Sequence, residues 1–279
     1  MRRIRSVVRV LLTTLVAVGL LTPSGTAVAN PPPDTTTYYL ALGDSLAFGY
    51  PSGVGYADDL QEVLKFSQPG IELIKLGCPG ESTVTMIYGK GNCDGTGLYE
   101  QYGQSTNQLA AAKWILANMP VSQVTIDIGP NDVLPCFQQG VIKPTCVTDG
   151  LAAVQTNLPT ILGELRARLD PGAKAAGMSF YDPFLALWPD DAAQQSLGFI
   201  NALNAIETTN YQQFGFALAP VADVFQTNHP ETSPFTLRPI NVTRVCVLTL
   251  MCTAKADIHP NQLGYWVIAG TFAQTLDLS

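Results

Sequence analysis

Histidine is almost missing from this sequence: His229 and His259 are the only two in 279 residues, and they stand far apart without helical ligand spacing. No two cysteines have the C-x-x-C spacing either. A zinc site therefore has little to be built from, and neither a metal nor a cofactor is expected. Basic residues are also in short supply, with 15 Lys and Arg against 22 Asp and Glu and a formal charge of −7. That balance argues against nucleic acid as a partner and offers no electrostatic attraction to anionic membranes, so a lipid substrate would have to be held by apolar contacts.

Arg2, Arg3, Arg5 and Arg9 precede an apolar run over residues 10–21, followed by Thr26-Ala27-Val28-Ala29 with small residues at the A-x-A spacing. This is the pattern of a cleavable secretory leader. The run is too short for a membrane anchor, which needs roughly 20 apolar residues. Cleavage after Ala29 removes four arginines and no acidic residue, leaving 11 basic against 22 acidic residues and a charge of −11. Residues 1–29 are read as a signal peptide and residues 30–279, which open on the stiff cluster Pro31 to Pro33, as one domain. The expectation is an exported monomer without a stable membrane anchor.

An exported chain folds in an oxidising compartment, and its six cysteines are even in number, so a disulfide set is expected. Six cysteines allow about 15 connectivities. Chain order groups them into three short loops, which favours Cys78 with Cys93, Cys136 with Cys146, and Cys246 with Cys252.

Strand-like and helix-like segments alternate along the rest of the chain. Residues 37–42 form a β-branched and aromatic run that stops at Gly43, and residues 71–76, 121–128, 175–181 and, more weakly, 216–221 also read as strands. Helical spacing occupies residues 55–66, 107–118, 151–169, 197–214 and 260–276, the last with Pro260 in its first turn. Residues 77–107, rich in Gly and polar residues, read as one long loop. The alternation implies an α/β domain on a central parallel sheet. Ligands in such sheets sit beyond the carboxyl ends of the strands, so segments 43–46, 77–81 and 129–132 should converge on one edge.

Ser45 lies in the first of these segments, after a glycine that permits a sharp turn, although a serine after Gly-Asp also suits a helix cap. Its hydroxyl would need a base to take its proton, and histidine is the usual partner. His229, in the polar stretch Thr227-Asn228-His229-Pro230-Glu231, reads as a solvated loop residue. His259 stands directly before a helix, with Asp257 two residues away as a carboxylate able to orient the ring. If residues 257–259 are extended, these two side chains share a face. Gly80 and Asn131 suit donors to a developing oxyanion, one through an unobstructed backbone N–H and the other through its side-chain NH₂; each is otherwise an ordinary turn residue. Asp44 reads as structural, its carboxylate serving nearby backbone amides.

Together these segments resemble the SGNH branch of the GDSL hydrolases, whose four blocks contribute Ser, Gly, Asn and His in that order. Gly43-Asp44-Ser45-Leu46 matches the GDSL block, and residues 76–82 resemble the second block with Gly80 as its donor. Gly129-Pro130-Asn131-Asp132 fits the G-x-N-D block, and Asp257-Ile258-His259-Pro260 resembles the last. The resemblance implies a three-layer, flavodoxin-like fold and metal-independent ester hydrolysis. It also implies an oxyanion hole made of the Ser45 N–H, the Gly80 N–H and the Asn131 side chain. One position departs from the pattern: the last block is usually D-x-x-H, whereas Ala256 holds the acid's place here and Asp257 is one step nearer to His259. Some family members orient the histidine with a backbone carbonyl, so Asp257 and a carbonyl stand as alternatives.

The implied protein is a secreted lipase or esterase, with phospholipids and acetylated glycans as alternative ester substrates. A catalytically silent wall- or glycan-binding module on the same fold is the non-enzymatic alternative. The α/β-hydrolases also use serine, but Gly43-Asp44-Ser45-Leu46-Ala47 lacks the final glycine of their G-x-S-x-G elbow.

Overall fold

Five parallel strands and the helices between them carry the chain. The computed structural model describes residues 36–138 and 141–277, so the expected leader and the start of the domain at residue 30 lie outside the described residues. β1 (Thr37–Gly43) leads through α1 (Ser45–Phe48) and α2 (Tyr56–Ser67) to β2 (Ile71–Lys75). α3 (Thr83–Tyr88) and α4 (Gln108–Asn118) precede β3 (Val121–Asp127), and α5 (Pro130–Val133) and α6 (Pro144–Arg166) precede β4 (Lys174–Met178). α7 (Asp191–Phe214) leads to β5 (Ala217–Ala219), after which come α8 (Val221–Val224), α9 (Ile240–Leu248) and α10 (Gln262–Thr275). The strands lie in the order β2-β1-β3-β4-β5, every neighbouring pair parallel, which is the flavodoxin arrangement.

Residues 39–42 of β1 and 123–127 of β3 are buried one after another, so both faces of the sheet are covered. Two helix groups do the covering, α2 packed on α10, and α6 packed on α4 and α7. α2 shows how sequence sets such an element. Asp58 accepts the Gly55 N–H at 2.8 Å to close its first turn, and Tyr56, Leu60 and Leu64, spaced by one turn each, are buried.

Several elements depart from their sequence signals. The stretch expected as a single loop contains α3, whose cap Ser82 accepts the Thr85 N–H at 3.2 Å while Thr85 Oγ1 accepts the Ser82 N–H at 2.9 Å. Its Thr83, Val84, Thr85 and Ile87 are β-branched and disguise it. α6 begins at Pro144, seven residues before its apolar periodicity, and a Cβ on Gly150 would lie 2.3 Å from the Asp132 carbonyl oxygen. Close packing on α5 therefore overrides weak local propensity. α7 likewise extends back to Asp191. Pro260 is not in the first turn of α10: it ends the extended segment Asp257–Pro260, and Asn261 caps the helix by accepting the Gly264 N–H at 3.0 Å.

The disulfides are Cys78–Cys93, Cys136–Cys146 and Cys246–Cys252, with Cα separations of 6.0, 5.6 and 5.0 Å, all within the span a bridge requires. No helix among the described residues is long and apolar enough to cross a membrane. The Cys78–Cys93 bridge closes a 15-residue separation, which by loop-closure entropy is worth about 3 kcal/mol. Replacing both cysteines by alanine is expected to lower the unfolding free energy in denaturant by that order. An unchanged midpoint would show that the reduced loop is already ordered.

Candidate active site

The strand order fixes where a site can form. β2 lies on one side of β1 and the later strands on the other, so the carboxyl ends of β1 and β3 bound the crevice at the point of reversal. Gly43 ends β1 at φ 131°, and a Cβ there would lie 2.0 Å from the Asp127 carbonyl oxygen. Only glycine lets the turn pass so close to β3. Gln108 clasps Gly43 by both backbone groups, its Oε1 accepting the N–H at 2.6 Å and its Nε2 donating to the carbonyl at 2.9 Å. Asp44 caps α1 by accepting the Leu46 N–H at 2.9 Å, and Ser45 opens the helix with its side chain half-buried.

Asp127, the last residue of β3, lies beneath this turn and is fully buried. Its Oδ2 accepts the Asp44 N–H at 3.2 Å and the Ala47 N–H at 3.3 Å, the amides on either side of Ser45, and its Oδ1 accepts from the Tyr56 hydroxyl at 2.5 Å. Burial pushes the Asp127 carboxyl well above the usual range, and the adjacent Asp44 charge adds to the shift. Burial raises Asp44 too, offset in part by its hydrogen bonds to Asp127 and Leu46 and by His259. Of the two acids, Asp127 is raised the further.

Residues from the far end of the chain complete the arrangement. His259 Nε2 lies 2.8 Å from Ser45 Oγ, and His259 Nδ1 lies 2.5 Å from Asp257 Oδ1, which also accepts the His259 backbone N–H at 2.9 Å. The segment is extended, so residues 257 and 259 share a face and the shortened spacing is sufficient. Burial opposes the Asp257 charge, but the His259 backbone N–H and ring outweigh it and hold the carboxyl below its usual range. An ionised carboxylate only accepts, so Nδ1 carries the imidazole proton and Nε2 is free to accept from the Ser45 hydroxyl. The Tyr181 hydroxyl donates to the Ile258 carbonyl at 2.9 Å, and the Tyr50 ring lies 4.5 Å from the imidazole. His229 is elsewhere, exposed and 3.5 Å from Glu231.

Gly80 and Asn131 come from the turns after β2 and β3. Gly80 takes φ 83°, and neither its N–H nor that of Ser45 meets a protein acceptor among the described residues. Asn131 is differently disposed from the sequence expectation. Its Nδ2 donates to Asp44 Oδ2 at 3.0 Å and to the Glu81 carbonyl at 2.9 Å, so both amide hydrogens are engaged. An oxyanion would have to share the hydrogen directed at Asp44. Asp132 binds the Thr83 N–H at 2.8 Å and its hydroxyl at 2.7 Å, which laces the same two turns together.

A cavity partly open to solvent starts at Ser45 and His259. Its walls are largely apolar, with Leu46, Val133, Phe180 and Phe199 among them. No cluster of three or more His, Cys, Asp or Glu among the described residues is arranged to hold a metal ion. Sequence reading missed Asp127, Tyr56 and Gln108. A charged residue inside the buried run Val124-Thr125-Ile126-Asp127-Ile128 was the available signal for the first.

Solved structures share this architecture. The chain superimposes on a lipase from a goat rumen metagenome with a TM-score of 0.56 and 18% identity, covering 88% of this chain and 100% of that one. It does so on phospholipase A1 from Streptomyces albidoflavus (0.54, 16% identity, 86% and 99% covered) and on an acetyl xylan esterase from Geobacillus stearothermophilus (0.51, 14%, 88% and 98%). At such identities the likeness is one of fold. No curated protein sequence matches the chain. The sequence profile of the GDSL-like Lipase/Acylhydrolase family matches residues 41–267, a span that takes in Ser45, Gly80, Asn131, Asp257 and His259, and the chain belongs to that family.

Proposed function

We propose that this protein is an exported carboxylic-ester hydrolase that works through an acyl-enzyme on Ser45. The observation that carries this reading is the hydrogen-bonded chain from Ser45 Oγ through His259 to Asp257, opening on an apolar cavity. His259 Nε2 takes the Ser45 proton as Oγ bonds to the acyl carbon, and the imidazolium that forms faces the Asp257 carboxylate. The carbonyl oxygen, now negative, draws on the unengaged N–H groups of Ser45 and Gly80, and on Asn131 once its Asp44 hydrogen bond is shared. Collapse of the tetrahedral intermediate breaks the ester C–O bond, and the alcohol leaves with the proton from His259. Water then attacks the acyl carbon by the same route, releasing the acid and restoring Ser45.

Asp127 is proposed as a positioning residue, because the two amides it binds flank Ser45. Three closed disulfides, and the arginines, apolar run and A-x-A site of residues 1–29, support export, with residues 30–279 as the exported chain. The apolar walls favour a fatty acyl group over acetyl, which sets lipid and simple fatty esters ahead of acetylated glycans.

Ser45→Ala and His259→Ala are expected to abolish hydrolysis of nitrophenyl esters by folded protein, Asp257→Ala to lower kcat by at least about 10²-fold, and His229→Ala to be nearly silent. Normal activity in Asp257→Ala would leave a Ser45 and His259 dyad, loss in His229→Ala would mean a different base, and no ester hydrolysis by the intact protein would favour the binding module. Asn131→Ala is expected to lower kcat by about 10²-fold with a smaller change in KM; a fall in Tm with kcat intact would make it only a tie between turns. Asp127→Ala should lower kcat, with Asp127→Asn, which keeps an oxygen for the two amides, recovering most of it at similar Tm. Equal kcat in both variants and the wild type would reduce Asp127 to a packing residue.

A further inference from the structure

The cavity at Ser45 shares three of its lining side chains with a neighbouring cavity. Phe137, Phe184 and Ile258 line both, and the second cavity touches neither Ser45 nor His259. Phe137 stacks on Phe184 with ring centroids 4.4 Å apart and planes 12° apart, and meets Phe199 edge-on at 6.4 Å. The wall is held from both sides. Cys136–Cys146 closes the loop that carries Phe137, and Phe184 lies in the short 3₁₀ turn Pro183–Leu187, whose Phe184 N–H is bound by the Asp182 carboxylate at 2.9 Å. The far cavity is apolar as well, bounded by Leu187, Ala192 and Met251.

We propose that Phe137 and Phe184, with Ile258, form a partition that sets the acyl-chain limit of the site, so that esters of short and medium fatty acids are taken and long ones refused. This rests on the ester-hydrolase reading above. An acyl chain bonded to Ser45 runs along the near cavity and meets the stacked rings at its end. Removing one ring would join the two spaces and extend the apolar room beyond the nucleophile. Each methylene that an apolar pocket admits or refuses changes kcat/KM by about 10- to 200-fold, so the chain-length profile reads the partition directly.

The test compares kcat/KM for nitrophenyl butyrate, octanoate and palmitate in the wild type, Phe137→Ala, Phe184→Ala and Phe137→Ala with Ala192→Phe. Calorimetric binding of free octanoate and palmitate is measured alongside. The wild type is expected to prefer octanoate to palmitate by at least about tenfold, and each single variant to move that ratio toward palmitate by at least about tenfold. Refilling the far cavity with Ala192→Phe should return the ratio to the wild-type value. If Phe137→Ala does not fold, Phe184→Ala opens the same wall from the other side. A wild type that accepts palmitate as well as octanoate, or single variants that keep its ratio, would overturn the partition. Fatty-acid binding that shifts as expected while hydrolysis survives Ser45→Ala would keep the partition and sink the Ser45 mechanism instead.

Discussion

The turn after β1 stands only because the end of β3 receives it. Two backbone N–H groups, of Asp44 and Ala47, point into the protein on either side of Ser45, and a buried N–H left without a partner costs about 1–3 kcal/mol. The Asp127 carboxyl receives both, the Asp44 N–H also reaching the Asp127 backbone carbonyl at 3.0 Å, and Tyr56 holds that carboxyl in turn. The contact exists because parallel pairing sets Gly43 beside Asp127 in register, and because Gly43 has no Cβ to keep the strands' ends apart. Asn131 and Gln108 fasten to the same turn, and His259 reaches it across 214 residues of chain. The crevice expected where strand order reverses thus becomes a place where a single hydroxyl is fixed in direction.

The acids around that hydroxyl divide into two kinds. Asp44, Asp127, Asp132 and Glu207 are raised by burial. Asp257 alone among the site's acids is lowered, because it meets both the backbone N–H and the ring of His259. Two environments give two roles: acids held toward their neutral form beneath the turn, and one ionised carboxylate behind the imidazole.

Sequence alone carried the alternation of strands and helices, and hence the parallel sheet, because β1 and β3 are short runs rich in β-branched, aromatic and other apolar residues while α2 and α7 are amphipathic. Ser45 and His259 were legible as parts of ordered blocks, and Asp257 as a residue that an extended segment would turn toward His259. Tertiary arrangements left little local trace. α3 and α9 are rich in β-branched residues, which hides a helix held by packing. Pro260 looked like a helix start because proline suits a first turn, but the hydrogen bond to the Asn261 side chain sets the start after it. The double engagement of Asn131 depends on where the β1 and β2 turns lie in space, and Phe137 and Phe184 become a wall only when the chain brings them together.

Ser45 as nucleophile, with His259 as its base, is tested most directly by trapping the covalent intermediate. A nitrophenyl alkylphosphonate offers phosphorus to the attacking oxygen and releases nitrophenolate, leaving a stable phosphonyl group on the nucleophile. Proteolysis and mass spectrometry then locate the adduct, and nitrophenolate release gives its rate. The expected result is one adduct, on the peptide containing Ser45, forming far more slowly in His259→Ala. An adduct on another residue, or continued ester hydrolysis by protein fully modified at Ser45, would contradict it.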